Sequence, residues 1–192
     1  MPKKERARRR PNRAERAAAR QRRRRIVLLS SVIGVLLLAA ALVWLVRTVN
    51  RPLPGESVPI QGAQHIAFGA SHPPYNSDPP TSGWHYDTPL QAGFHDEPAP
   101  DEQLVHNLEH GHVVISYDCD KLPDCEEAKQ QIRKIISRYN SWKVTAVPRS
   151  NADAAIALTA WGRIDKLDRF DEDRIVAFIE AWRNRGPEAT AE

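Results

Sequence analysis

The stretch "DEQLVHNLEHGHVVISYD", residues 101–118, predicts a helix that turns directly into a strand. Its first part begins with two acidic residues, which stabilise the first turn of a helix. Gly111 follows this part, and glycine readily adopts the left-handed conformation that often ends a helix. The segment behind it, "HVVISYD", has the β-branched and aromatic content of a buried strand. We therefore expect a folded core that begins at Asp101 and extends over residues 101–187.

Four further segments complete this predicted core. They are, in chain order, a helix over 125–140, strands over 142–149 and 155–167, and a helix over 171–186. Asp171 is expected to cap the last helix, and Gly186 is expected to end it before Pro187. The order of the elements predicts an α+β domain, with a small sheet of about three strands and helices packed against it.

Residues 47–100 are predicted to form a linker and a Pro-rich, aromatic arm that precedes the core. The part "HPPYNSDPPTSGWHYDTP", residues 72–89, contains two Pro-Pro pairs, which exclude a continuous helix or a central strand. Tyr75, Trp84 and Tyr86 argue against disorder, because disordered segments contain few aromatic residues. We expect the arm to wrap over the core, and a short tail, 188–192, to follow the core.

An uncharged, apolar run, residues 26–46, predicts a single transmembrane helix. At 1.5 Å per residue it would be about 31 Å long, which matches a hydrocarbon core of about 30 Å. A cleaved signal peptide is the alternative, since Ala39, Ala40 and Ala41 offer small residues for a cleavage site. However, the run continues past them, beyond the roughly 7–15 apolar residues of most signal peptides.

The charges on the two sides of this run differ in sign. Residues 1–25 carry 13 Lys and Arg against 2 Glu, and residues 51–192 carry 14 Lys and Arg against 22 Asp and Glu. By the positive-inside rule, the basic tail 1–25 is cytoplasmic and the C-terminal domain is extracytoplasmic. We expect the tail to contact anionic lipids and not nucleic acid, because no aromatic or fold signal accompanies its charge.

Cys119 and Cys125, the two cysteines of the chain, are predicted to form a disulfide. They flank a short loop in a domain that would face an oxidising exterior. A pair of thiolates for redox chemistry or metal binding is the alternative, but their spacing is not that of a CxxC redox motif.

Three of the seven histidines, His106, His110 and His112, fall within seven residues. On a helix, His106 and His110 would project from one face, close enough to bind one metal ion together. His112 would follow the turn at Gly111 as a third ligand, and Glu109 would lie beside the pair as a ligand or a base. Imidazole ligands of this kind suit zinc or copper, which is the cofactor that we predict.

Histidines in the arm could complete this metal site. His85 is the best placed, because Trp84 and Tyr86 would anchor it, and His72 is a further candidate. A lone histidine in a loop is more often hydrogen-bonded or solvated, and this alternative stays open for each of His72, His85 and His95. His65 is assigned no role.

Two alternatives to simple metal binding are open. The string "HNLEH" fits the H-x-x-E-H pattern of a zinc hydrolase, in which Glu109 would be the general base for a zinc-bound water. This pattern needs a continuing helix, and Gly111 is expected to end it. The other alternative is an interaction module without metal, in which the histidines bond free carbonyls at the helix end and the aromatic arm docks an envelope protein.

Three motifs together resemble one known family. They are "HPPYNSDPPTSGWHYDTP" at 72–89, "DEQLVHNLEHGHVVISYDC" at 101–119 and "AWRNRGPE" at 181–188. Behind one transmembrane helix, these motifs resemble the bacterial membrane-anchored family catalogued as domain of unknown function 3105, over most of residues 60–187. The resemblance implies a single-pass protein of the bacterial cell membrane and no particular activity. It directs attention to the residues inside the motifs, namely His72, Trp84, His85, His106, Glu109, His110 and His112.

Overall fold

A computed structural model describes residues 13–49 and 52–190 of the chain. The chain divides into two compact units, Met1–Pro52 and Leu53–Glu192, and each is described by itself. Two parts of the predicted tails, 1–12 at the N-terminus and 191–192 at the C-terminus, lie outside the described residues.

The first unit contains one long helix, α1 (Arg13–Val49), which includes the predicted span 26–46. Its part Arg20–Val46 is long and apolar enough to cross a membrane. Its leucine and valine side chains are exposed within the unit, as lipid-facing side chains would be. Helices of this kind near an N-terminus are membrane spans or signal sequences.

The second unit consists of three helices and eight strands among its described residues. In chain order they are β1 (Glu56–Ser57), β2 (His65–Ile66), β3 (His85–Tyr86), β4 (Gly93–Phe94), α2 (Asp101–Glu109), β5 (Val113–Tyr117), α3 (Cys125–Arg138), β6 (Val144–Pro148), β7 (Ile156–Ala160), β8 (Arg163–Leu167) and α4 (Glu172–Trp182).

Six of these strands form one mixed sheet in the order β1-β8-β7-β5-β6-β4. β5 and β6 are parallel, with Val113 opposite Val144, and α3 is the crossover that parallel neighbours require. β7 runs antiparallel to both β5 and β8. β2 and β3 form a separate parallel pair, in which His65 lies opposite His85.

Helices cover both faces of the sheet. α3 and α4 pack on one face and bury, among others, Ile132, Ile135 and Phe178 completely. α2 packs on the other face, where Leu108 contacts the cluster around Val114. Because both faces are covered, all five residues of β5 are buried and its sequence shows no polar alternation. This packing holds the C-terminal end of α2 in place, which is where the candidate site lies.

The sheet has six strands, so the predicted sheet of about three strands is wrong. One cause is Gly162, which has a φ of 66° and divides the predicted strand 155–167 into β7 and β8. The other cause is that β1 and β4 come from the predicted arm and have two residues each. Strands this short have no periodic pattern from which they could be predicted.

Residues 53–100, which include most of the predicted linker and arm, belong to the same compact unit as the predicted core. They supply all four two-residue strands, β1 to β4. Thr81, Ser82 and His85 are completely buried. Residues 53–100 are therefore a folded part of the domain.

Two predicted helix signals are confirmed and one is corrected. Gly111 has a φ of 80° directly after the C-cap of α2. The Asp171 side chain accepts a hydrogen bond from the Arg174 backbone N–H at 3.0 Å and caps α4. However, α4 ends at Trp182, before the predicted stop at Gly186. Gly186 instead contacts the end of α2.

The predicted disulfide between Cys119 and Cys125 is present. It connects the loop behind β5 to the first residue of α3. Both cysteines are thereby unavailable as thiolate ligands or redox thiols, which removes that alternative.

Candidate metal centre

Two other parts of the second unit contact the C-terminal end of α2. They are the β2–β3 pair and the C-terminal segment 184–188. The parallel pairing of β2 and β3 brings His65 beside His85, and their rings lie 4.7 Å apart. The ring of His106, on α2, lies 5.1 Å from each of these two rings. Histidines that are distant in the sequence are therefore neighbours here.

His85 is held by backbone and carboxylate together. Its ring is completely buried, and its Nδ1–H donates to the carbonyl oxygen of Gly83 at 2.8 Å. Its Nε2 lies 2.9 Å from Oε2 of Glu109, which is 3 % exposed. With Nδ1–H directed at Gly83, Nε2 of a neutral ring and the carboxylate would both be acceptors. A proton or a metal cation must lie between them.

His106 has the same arrangement. Its Nδ1–H donates to the carbonyl oxygen of Tyr86 at 2.5 Å, and its Nε2 lies 3.0 Å from Nε2 of His110. The pKa of His106 is lowered, mainly by burial and also by the neighbouring His110 and His85. The neutral imidazole that results is the form that binds metal ions.

The ligand atoms form two overlapping groups. The strand group is His65, His85 and His106, and the helix group is His106, Glu109 and His110; within each group all ligand atoms lie within 4.8 Å of one another. Tetrahedral zinc, with bonds of about 2.0–2.1 Å to nitrogen, places two ligand nitrogens about 3.3 Å apart. The 3.0 Å between His106 and His110 is close to this value. Small side-chain shifts would therefore suffice to hold an ion.

Glu109 touches both groups. Besides the contact with His85, its Oε2 lies 3.6 Å from Nε2 of His65, and the residue is a member of the helix group. His65 is the more accessible partner, with a side chain that is 48 % exposed. Glu109 thus lies among the candidate ligands.

The C-terminal segment closes the end of α2. The backbone N–H of Asn184 donates to the carbonyl of Gly111 at 2.7 Å, and that of Glu188 donates to the carbonyl of Glu109 at 3.0 Å. These bonds place the Glu188 carboxylate 3.8 Å from Nε2 of His110. The segment therefore adds a second carboxylate at the solvent side of the site.

His112, which the sequence predicts as a ligand, is in neither group. Gly111 reverses the chain, so that Nδ1 of His112 accepts a hydrogen bond from the Asn107 side-chain amide at 3.0 Å. This amide is fixed by two bonds to the backbone of Leu90. Burial, with the charge of Lys143 second, lowers the pKa of His112 to about 4, so the ring is neutral.

His72 and His95 lie outside both groups as well. Nε2 of His72 contacts Glu102 at 3.2 Å, and the ring packs against Tyr75. Nε2 of His95 donates to the carbonyl of Gln91 at 2.8 Å. Both side chains have local hydrogen-bond partners, as lone histidines in loops usually do.

His65 belongs to the site although the sequence assigns it no role. It reaches the site through the register of a two-residue strand with β3, 20 residues later in the chain. The string "QHIAF" around it contains one polar–apolar alternation and no motif. Only the pairing with β3 brings this position to the candidate site.

A family model described as "Protein of unknown function (DUF3105)" matches residues 70–192, which is more than half of the chain and includes every residue of the two groups except His65. No curated protein and no solved structure matches the chain. The match confirms the resemblance of the three motifs, and the chain belongs to the DUF3105 family.

Proposed function

We propose that the second unit binds a transition-metal ion, zinc or copper, through the strand group, the helix group or both. The observation that carries this proposal is the common arrangement of the two buried histidines. His85 and His106 each donate Nδ1–H to a backbone carbonyl and direct Nε2 at another potential ligand. Histidines that bind metals usually have such a bond at the other ring nitrogen, because it fixes the tautomer and the ring orientation.

The ligand chemistry supports zinc or copper among the common metals. Four imidazoles and one carboxylate converge, and nitrogen-rich sets of this kind suit these two ions better than calcium or magnesium, which prefer oxygen. The sequence has methionine only at Met1 and its two cysteines form a disulfide. A thioether or thiolate site for Cu⁺ therefore has no ligands here.

Metal binding without catalysis is favoured over the zinc hydrolase alternative. A hydrolase of the H-x-x-E-H type needs a glutamate that is free to take a proton from a metal-bound water. Glu109 is 3 % exposed and its Oε2 is engaged by His85 at 2.9 Å. α2 also ends at this residue, because His110 is its C-cap. Both features suit a ligand better than a base.

We place this site outside the cell, on a protein anchored by α1. The apolar part of α1 is long enough to span a membrane. The 25 residues before the apolar run contain 13 basic residues. This charge favours a cytoplasmic N-terminus that contacts anionic lipid headgroups. The role would be to handle or hold a metal at the surface of a bacterial cell, together with an envelope protein as partner.

The test is the metal content of the full chain. The protein, purified in detergent micelles without a His tag, is incubated with Zn²⁺ or Cu²⁺, freed from loosely bound ions and examined by elemental analysis. We expect about one equivalent of metal in the parent and in His95→Ala, whose ring lies outside the site. We expect little in the double variant His106→Ala, His110→Ala.

Circular dichroism decides whether the double variant is folded. If it does not fold, His110→Ala combined with His65→Ala takes its place, since both of these side chains reach solvent. A folded parent that binds neither ion contradicts the proposal and leaves the interaction module. A folded double variant that keeps its metal places the ion elsewhere.

A further inference from the structure

We infer that the site holds one ion at a time and that this ion moves between two positions, one in the strand group and one in the helix group. The inference rests on the proposed function and states what kind of metal site it is. On this inference the protein takes up an exchangeable ion and passes it on. The ion is not a fixed structural one.

The single occupancy follows from His106, the member common to both groups. A neutral imidazole has one lone pair, and its other nitrogen can bind a second ion only after it loses its proton. Nδ1 of His106 donates its proton to the Tyr86 carbonyl at 2.5 Å and is thereby unavailable. Nε2 alone must serve both positions, so occupancy of one excludes occupancy of the other.

The two positions also share a carboxylate. Oε2 of Glu109 lies 2.9 Å and 3.6 Å from the Nε2 atoms of His85 and His65, although Glu109 belongs to the helix group. An ion that leaves the strand group for the helix group can therefore keep both His106 and Glu109. It exchanges His65 and His85 for His110. No intermediate position without protein ligands is needed.

Each position has an accessible member. In the strand group, the His65 side chain is 48 % exposed; in the helix group, His110 is 15 % exposed and faces Glu188, which is 53 % exposed. Structural zinc sites are closed by four protein ligands, whereas the helix group offers three. An incoming donor, from water or from the imidazole or carboxylate of a partner, can complete the shell of the ion in the helix group and remove it.

The experiment measures zinc stoichiometry and affinity of the full chain in detergent micelles, with Zn²⁺ alone as the probe and a chromophoric chelator as the competitor. The variants are His65→Ala, which damages the strand group, His110→Ala, which damages the helix group, and the two combined. His95→Ala is the matched control. Native mass spectrometry counts the bound ions.

We expect one Zn²⁺ per chain, even in excess zinc. Association constants of alternative positions add, so the loss of one of two comparable positions lowers the affinity only about two-fold. Each single variant should therefore stay within about five-fold of the parent, and the double variant should bind at least about 100-fold more weakly. Since both side chains reach solvent, all three variants are expected to fold.

The outcomes separate this inference from the proposed function. Two bound ions per chain would overturn the inference and leave the proposed function intact. A single variant as weak as the double variant would mean one fixed ion, and it too would overturn the inference alone. A double variant that binds like the parent would place the ion outside the two groups. A folded parent without zinc would overturn both.

Discussion

Backbone carbonyls determine what the two buried histidines can do. Gly83 and Tyr86 accept the Nδ1–H groups of His85 and His106, so that both rings present Nε2 to the same small volume. Tyr86 is itself fixed, since its side chain is 7 % exposed and its hydroxyl accepts a hydrogen bond from the Gly69 N–H at 3.2 Å. The orientation of the ligands is thus set before any ion binds, which lowers the cost of binding.

Glu109→Gln should separate the roles of this residue in metal binding and in stability. The amide keeps the shape of the side chain but removes its charge, so we expect zinc affinity to fall by at least about ten-fold. Without metal, the unfolding free energy should fall by about 1–3 kcal/mol, because the hydrogen bond of the buried His85 loses a charged partner. Zinc competition and thermal unfolding with a chelator measure the two effects.

Glu102→Gln is the matched control for this variant. Glu102 also lies on α2 and contacts a histidine, His72, at 3.2 Å, but it is in neither metal group. The Glu102→Gln variant should therefore leave zinc affinity unchanged. Equal losses in the two variants would show that the effect is a general one of charge on α2 and not of a ligand.

His112 should make the stability of the metal-free protein depend on pH. Its pKa, about 4 in the folded state, lies below the value of 6.5 for a free histidine, so the unfolded state takes up the proton more readily. The stabilisation is complete above about pH 6.5 and is lost as the pH falls towards 4. Between pH 7 and pH 5 the loss from this residue is about 2 kcal/mol.

Urea unfolding at these two pH values, with a chelator present, tests this prediction. The parent should lose about 2 kcal/mol more than His112→Gln, in which the titrating group is absent. All other histidines are common to both proteins, so the difference isolates His112. An equal pH dependence of the two proteins would contradict the burial of a neutral ring at this position.

Helical spacing is local, which is why His106, Glu109 and His110 could be placed together from the sequence. His85 was within reach because aromatic neighbours surround it. His65 was not, since its place depends on a strand partner 20 residues away. His112 is the opposite case, near the site in sequence but in neither group. It lies only two positions after His110, yet the φ of 80° at Gly111 directs its ring to Asn107.

At the scale of elements, the end of α2 depends on the C-terminal segment 184–188. A Cβ at Gly186 would collide with the backbone of Glu109 and Gly111. The backbone bonds of Asn184 and Glu188 to the same helix end need this close approach. The glycine of the motif "AWRNRGPE" is therefore explained by contact between two backbones, which a sequence pattern of helix stops does not reveal.

Gly186→Ala should detach this segment. The clash is with backbone atoms, which cannot rotate away, so we expect a loss of about 2–3 kcal/mol in unfolding free energy. Zinc affinity should also fall by a few fold, because Glu188 moves away from His110. Gly69→Ala is the comparison: its φ of 75° disfavours a side chain, but a Cβ there meets no atom within 4 Å. Its cost should be about 1 kcal/mol.

Thermal unfolding and zinc competition measure both changes. If Gly186→Ala were no more destabilising than Gly69→Ala, the segment would not be held against α2 as the structure has it. If only stability fell and zinc affinity stayed the same, the segment would be packing without influence on the site.

The predicted helices are confirmed because their apolar residues repeat every three to four positions and their ends carry local signals such as Asp171. The long strands β5 and β6 are confirmed for a similar reason, since β-branched and aromatic residues make up most of each. β1 to β4 are held by partners and by packing, with two residues each. Their existence follows from the tertiary structure and could not be predicted from propensity.

At the scale of the whole molecule, the unlike charges of the two units suggest how the metal site is exposed. Residues 1–25 carry a net charge of about +11 and residues 51–192 about −8, with the apolar run between them. A basic segment is retained on the cytoplasmic side of a bacterial membrane, and an acidic domain is not. The disulfide between Cys119 and Cys125 is compatible with an oxidising exterior. We therefore expect the acidic domain, and with it the proposed ion-exchange site, to lie on the extracytoplasmic side of the membrane.

Cysteine labelling tests this orientation. Ser137 is exposed on α3, and Ala7 lies in the basic tail. In bacterial cells with an intact cytoplasmic membrane, a membrane-impermeant maleimide should label Ser137→Cys, and it should label Ala7→Cys only after lysis. The parent is the control, because its two cysteines are paired and should not react.

The reverse pattern would place the metal site in the cytoplasm, where glutathione reduces disulfides and Cys119 and Cys125 would compete as thiolate ligands for the ion. The expected pattern would instead leave histidine and carboxylate as the ligands that the domain can offer, which is the set that α2 and the β2–β3 pair bring together.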